Sequence, residues 1–237
     1  MTNSENRQAG LTLIELLVII AIFAVISGMM FPGYFAGHRK AKGKAQRISC
    51  INNLRQVGLA FRFWSDDHDG KFPMELSATN SGAMEAIALG NLVTVFEVMS
   101  NELNTPKILF CPSEYLTPDS TRIQASAFGR TSRTINGYTS TPFNGSSNIT
   151  YFVGMDAKTN LPSAFLSGDD NFLVNDLATK SGILSLTTNN PVAWSKARHE
   201  KQGNAGLADG SVQGFSSSAL RNALANTGVE TNRLAMP

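Results

Sequence analysis

Charge is scarce in this 237-residue chain. Asp, Glu, Lys and Arg together make up 16%, against about 25% in an ordinary soluble domain. The net charge is +2, so no global excess points to a nucleic-acid partner. Cysteine is nearly missing: Cys50 and Cys111 are the two present, too few for a disulfide scaffold or a zinc site. They can form one bridge in an oxidising compartment or stand as two buried thiols, and the sequence leaves both open. No phosphate-binding glycine loop, dinucleotide fingerprint, zinc pattern or nucleophile elbow is present. No internal repeat is visible, and the length suits one medium domain with an appendage.

Against that sparse background, the N-terminus stands out. From Leu16 to Gly37 the chain runs 22 residues without a charge, roughly 33 Å of helix and about the hydrocarbon thickness of a bilayer. A helix apolar on all sides needs lipid or a deep core around it. Three fates fit such a run: a signal peptide cut near Ala36-Gly37, a plain uncleaved anchor, or an anchor processed ahead of the run. Glu15 bears on the choice, because a lone carboxylate inside an apolar stretch costs about 2.5–3.5 kcal/mol on insertion scales. Cutting after Gly10 would put a positive amine on Leu11, one helical turn from Glu15. The same carboxylate can instead pair with the amine of a neighbouring subunit, and it complements the helix dipole.

Gly10-Leu11-Thr12-Leu13-Ile14-Glu15-Leu16-Leu17-Val18 resembles the cleavage and methylation segment of type IV prepilins and type II secretion pseudopilins. A short polar leader ends in glycine, a hydrophobic residue follows, and glutamate is fifth after the cut. Leu11 stands where phenylalanine is commoner. The resemblance implies cleavage by prepilin peptidase between Gly10 and Leu11, methylation of Leu11, an assembly role for Glu15 and a helix kink at Pro32. It also implies a single pass through a bacterial inner membrane, with the head in the periplasm or on the cell surface. The expected partners are the peptidase, other pilin or pseudopilin subunits and the membrane, with no nucleic acid. His38, Arg39, Lys40, Lys42, Lys44 and Arg47 follow the run and suit anionic headgroups. By the positive-inside rule they would place the C-terminal side in the cytoplasm. The motif requires the opposite orientation, since the leader must face the peptidase, and we follow the motif.

Beyond Gly43 the pattern turns amphipathic. Ile51, Leu54, Val57 or Gly58, Phe61 and Trp64 form one apolar stripe, so one helix is expected from Leu11 to Ser65, about 80 Å long. The expected divisions are a leader (1–10), a transmembrane helix segment (11–37), an amphipathic continuation (38–65) and a pilin-like α+β head (66–237) with a small antiparallel sheet. Asp66-Asp67-His68-Asp69-Gly70 fits part of a calcium loop, but Ser65 and Leu76 occupy the first and last ligand positions. A helix end closed by Gly70 is the better reading. Residues 83–102 read as helix split at Gly90-Asn91, with Asn91 as a cap. The runs 107–111, 148–154, 163–168 and 182–186 read as strands, and 117–147 as a long loop. Asp209-Gly210 predicts a two-residue type I′ hairpin turn, with a short helix over 217–225 after it.

His199, nine intervening residues and then Asp209-Gly210 resemble the His-x9-Asp-Gly motif of a large prepilin-like family of bacterial proteins. Residues 50–60, 69–73 and 110–113 agree with that likeness. His199 near Asp209 invites a catalytic or metal reading. Asp169, Asp170, Asp176 and Asp209 can be imagined around calcium, because major pseudopilins bind it in C-terminal loops, yet they follow no nameable ligand pattern. The plainer expectation is that His199 hydrogen-bonds locally and Asp209 makes its turn. Cofactors are therefore not expected, calcium being the one considered. The function expected is a structural subunit, not an enzyme. The rival is a membrane-tethered periplasmic binding or enzymatic domain.

Overall fold

The computed structural model describes residues 12–117 and 120–237, except for the side chains of 29–40. Gly10 and Leu11 lie outside the described residues. The chain divides into two compact units, residues 1–44 and 45–237. Helix α1 (Leu13–Asp66) supplies the described part of the first unit and opens the second. The helix assignment continues through Pro32, and the Pro32 side chain lies outside the described set. Among the described residues no helix is long and apolar enough to cross a membrane. The span expected over 16–37 runs into residues 29–40, beyond the last described apolar side chains.

In the second unit, α1 ends where Gly70 turns back at φ +73° and donates its N–H to Ser65 O at 2.9 Å. Three short helices follow: α2 (Met84–Ala88), α3 (Val93–Val98) and α4 (Ser100–Leu103). The N-cap of α3 is Leu92, without a side-chain cap, and not Asn91 as expected; Asn91 Oδ1 instead accepts from Val93 N at 3.2 Å in a local Asx turn.

The strands are β1 (Thr134–Ile135), β2 (Tyr138–Thr139), β3 (Tyr151–Gly154), β4 (Phe165–Asp169), β5 (Phe172–Val174), β6 (Leu177–Ala178), β7 (Gly182–Leu186) and β8 (Val192–Trp194). Then come β9 (Gln202–Leu207), β10 (Val212–Ser216), helix α5 (Ser217–Ala225) and β11 (Asn232–Met236). Six strands form an antiparallel sheet in the order β10-β9-β4-β3-β11-β7, and β6-β5-β8 form a second, three-stranded one.

Period-2 alternation fills both faces of the larger sheet. Val153, Leu166 and Ala235 join Val57, Phe61 and Trp64 of α1 and Phe96 of α3 in one core. Their strand neighbours Phe152, Phe165 and Leu234 join Trp194, Leu220 and Leu224 in a second core. Each buried Phe or Leu contributes roughly 1.5–3 kcal/mol to such a core. Of the predicted α1 stripe, Leu54, Val57, Gly58, Phe61 and Trp64 are buried, with Ile51 at the margin.

Several local expectations change. Residues 107–111 do not form a strand. Pro106–Leu109 is a 3-10 turn capped by Thr105 Oγ1, which accepts from Lys107 N at 3.4 Å, because Pro106 starts a helical turn more readily than it joins a ladder. Asp209-Gly210 is not a two-residue turn, since only Gly210 has a positive φ, +85°. Gly210 N–H bonds to Leu207 O at 2.9 Å, and Leu207 N–H to Ser211 O at 2.8 Å, the pattern of a three-residue loop with a glycine bulge. Ala208 N–H to Ala164 O (2.9 Å) and Asp209 N–H to Pro162 O (3.1 Å) hold those two residues in place. The two-residue form occurs instead at Asn136-Gly137 (φ +52° and +80°) and Asn175-Asp176 (φ +52° and +61°), closing β1–β2 and β5–β6.

Candidate functional site

Within the first unit, Glu15 is tied to its own chain. Its Oε2 accepts from Thr12 N and from Thr12 Oγ1, each at 2.8 Å, and Glu15 N lies 3.4 Å from Thr12 Oγ1. This is a reciprocal capping box at the start of α1, written locally in Thr12-x-x-Glu15 inside the cleavage motif.

In the second unit, a polar layer sits under α1. Strand register builds it: Tyr151 lies opposite Asp169 and Gly214 opposite Asn204, while Gly168 opposite Ala205 sets Asn204 beside Asp169. Asp169 is completely buried, and its Oδ2 accepts from Asn204 N and Nδ2 at 2.8 Å each. From α1, Arg47 reaches Asn204 Oδ1 at 3.4 Å and also bonds to Gln202. Gly214 makes room for it, because a Cβ there would sit 2.7 Å from Arg47 Nη2. Arg47 is therefore a sheet-binding residue, which corrects its placement in the membrane-flanking basic cluster.

Cys50 on α1 and Cys111 are joined as a disulfide, Cα–Cα 5.0 Å across 61 residues. The bridge packs with Leu54 and Tyr151, and Cys111 N–H donates to Thr150 Oγ1 at 2.6 Å. His199 stands beside it with its side chain 1% exposed. Its Nε2 lies 3.4 Å from Cys111 Sγ and 3.4 Å from Asp169 Oδ2, and its Nδ1 lies 3.4 Å from Ser113 Oγ. His199, Glu200 and Lys201 are three successive left-handed residues (φ +52°, +51°, +65°), each costing about 1–3 kcal/mol of backbone strain.

Next to the imidazole lies a charge cluster. Arg198, 4% exposed, pairs with Glu114 at 3.2 Å and with Asp170, and donates to Thr150 O at 3.1 Å. Arg122 bonds to Asp170 and lies 4.0 Å from Glu114. Two guanidiniums thus meet two carboxylates, so the buried charge balances. Burial pushes the Asp169 carboxyl up, but the His199 hydrogen bond and charge, the Arg198 charge and the Asn204 N–H outweigh it and leave its pKa lowered. Burial and then the Asp169 charge hold the Tyr151 hydroxyl well above its ordinary range.

The His-x9-Asp-Gly motif frames β9 and does not converge on one site. His199 precedes the strand and joins the charge cluster. Asp209 follows it, where Asp209 Oδ1 accepts from Ser211 N at 2.8 Å and steadies the loop. Gly210 packs toward α1, since a Cβ on Gly58 would lie 3.9 Å from it. The four aspartates considered for calcium do not group. Asp169 and Asp170 are in the cluster, while Asp176 and Asp209 sit in separate turns. Among the described residues one set of three potential metal-ligating side chains converges: Cys50, Cys111 and His199. Sequence reasoning missed Glu114, Arg122 and Arg198. The one hint was Arg198-His199 together with Asp169-Asp170-Asn171 at the end of an apolar run.

No curated protein and no solved structure matches this chain. Residues 6–31 match the family model described as the prokaryotic N-terminal methylation motif, a stretch that covers the Gly10-Leu11 junction, the Thr12–Glu15 cap and the start of the apolar run. That match supports a type IV pilin-like protein whose N-terminal segment is a substrate of prepilin peptidase.

Proposed function

We propose that this chain is a structural subunit of a pilus, a type II secretion pseudopilus or a related envelope machine, and that it has no enzymatic turnover. On this reading prepilin peptidase cuts at Gly10-Leu11. The mature chain stays anchored in the bacterial inner membrane by the helix that follows, with residues 45–237 outside the cytoplasm. Other pilin-like subunits are its partners. The observation that carries the reading is the match over residues 6–31, with Glu15 as the single charge between Leu11 and Gly37. The first unit supports it too. Leu13, Ile14, Leu16, Phe23 and Val25 are all more than half exposed, and an apolar helix surface of this kind is covered by lipid or by neighbouring helices.

The test is the intact mass and N-terminal sequence of the membrane-extracted protein, with and without active prepilin peptidase. A mature chain beginning at methylated Leu11 only when the peptidase is active is the expected result. A chain still beginning at Met1 would leave a plain anchor, and one beginning beyond Gly37 would make the segment a signal peptide; either overturns the proposal.

Glu15 gives a second prediction. Its charge is tolerable in an apolar bundle only when paired, and after cleavage the Leu11 amine, its own or a neighbour's, becomes a stronger partner than Thr12. Glu15→Ala should leave membrane insertion intact and reduce assembly at least tenfold, read as subunit recovered in sheared or cross-linked polymer. Assembly at the wild-type level would contradict this role.

A further inference from the structure

The pocket of residues around the disulfide contains more than a disulfide requires. A structural bridge needs neither a histidine nor a carboxylate against it, yet His199 is held there by a left-handed backbone run and Asp169 lies beside it. Two cysteines were too few for zinc when counted along the sequence. In space they acquire an imidazole, and all three ligand atoms lie within 4.8 Å of one another.

Zinc binds thiolate sulfur at about 2.3 Å and imidazole nitrogen at about 2.0–2.1 Å in a tetrahedron, so neighbouring ligand atoms stand roughly 3.3–3.8 Å apart. His199 Nε2 already lies 3.4 Å from Cys111 Sγ and 3.4 Å from Asp169 Oδ2. The sulfurs must separate from bonding distance to about 3.8 Å, and Asp169, which stands next to His199 but outside the convergent set of three, must close on them. His199 Nδ1 faces Ser113 Oγ, the outer hydrogen bond that fixes a metal-binding imidazole in its tautomer and orientation. A second observation is independent of the sulfurs: Asp169 is completely buried, and its Oδ1 has no hydrogen-bond partner. An unpaired carboxylate oxygen away from water is costly, and a cation bound at its side would satisfy it.

We propose that Cys50, Cys111, His199 and Asp169 form a redox-gated site for a thiophilic divalent cation, zinc above all. The reduced chain holds the metal and the disulfide form does not. A dithiol reductant transfers two electrons and two protons to the bridge and is itself oxidised to a cyclic disulfide, leaving two thiols. Metal binding then releases both thiol protons, forming two metal–sulfur bonds, with His199 Nε2 and a carboxylate oxygen of Asp169 as the other ligands. A second disulfide that accepts the two electrons, and with two protons is reduced to a dithiol, re-forms the Cys50–Cys111 bond and expels the ion, because bridged sulfurs are poor ligands for it.

The experiment uses the full-length protein in detergent. One sample is kept oxidised; the other is reduced with dithiothreitol and desalted without air. Each is titrated with cobalt(II), then with zinc. The reduced chain should bind one cobalt with the visible bands of a tetrahedral ion and a near-ultraviolet sulfur-to-cobalt band, and zinc should displace it. The oxidised chain should bind none. His199→Asn should weaken binding at least about 100-fold, and Ser113→Ala about tenfold through the outer contact. Because His199→Asn also removes the contact to Ser113, its oxidised form is compared with wild type by urea denaturation. His68→Asn, a change away from the site, should leave binding unaltered. A reduced chain that binds no cobalt, binds it with an octahedral spectrum, or binds it equally well in His199→Asn would overturn the proposal. These outcomes do not depend on peptidase processing or on subunit assembly.

Discussion

Arg198→Ala should destabilise the unit formed by residues 45–237 by about 3–5 kcal/mol, the range seen when one partner of a buried ion pair is removed. Glu114 and Asp170, 6% and 7% exposed, would keep only Arg122, whose side chain is 25% exposed. Thr150 O would lose one of its two donors and keep the Asp170 N–H at 3.3 Å. The loss is large beside a total stability of about 5–15 kcal/mol. It does not measure the worth of the cluster, because most of it is the cost of carboxylates left buried without counter-charge. One further outcome follows. Replacing the set together, with Arg198→Met, Glu114→Gln and Asp170→Asn, should cost less than the single change. Urea denaturation of the disulfide-intact protein checks both, and a single-variant loss below about 1 kcal/mol would show that water reaches the cluster.

Reducing the Cys50–Cys111 bridge, or replacing both residues by alanine, should cost about 4 kcal/mol in the absence of metal. The bridge closes a loop of 61 residues, and the chain-entropy treatment gives about that amount at this length. The bond ties α1 to the segment entering the Pro112–Leu116 turn, which carries Ser113 and Glu114 to the site. The effect should therefore exceed simple loosening of the loop: His199 and Arg198 lose the wall that holds their partners. Denaturation midpoints with and without reductant measure the cost, and equal midpoints would mean that the bridge adds nothing to native stability. If the reduced chain binds zinc, micromolar metal should return part of the lost stability, as any ligand of the native state must.

Much of the architecture was legible in local pattern. Spacings of three and four marked the buried face of α1 from Leu54 to Trp64, and the stretch 217–225 announced α5, which the structure caps with Ser216 Oγ accepting from Ala219 N at 3.2 Å. Apolar runs marked β3, β4 and β7. Local pattern failed where tertiary bonds decide backbone geometry. Asp209-Gly210 had the composition of a type I′ turn, but hydrogen bonds from Ala208 and Asp209 to residues 162–164 set a different loop. Asn136-Gly137, with fewer outside bonds, kept the form that its sequence favours. Residues 107–111 had strand composition, yet Pro106 and the Thr105 cap turned them into a tight helical turn.

By itself the sequence determined the features whose causes are close in the chain: the match to the N-terminal methylation motif over residues 6–31, the apolar run after Glu15, the long helix and the α+β character of residues 45–237. Tertiary structure alone decided the site. Asp169 meets Asn204 because β4 and β9 pair in one register, and a shift of one residue would turn both to the other face. Cys50 finds Cys111 at a sequence separation of 61, and His199 finds Asp169 at a separation of 30. Periodicity and capping report interactions within a few residues, whereas register, crossover and the docking of α1 on the sheet arise from the free energy of the whole core. The ligands, charges and strain of this site are consequences of that packing.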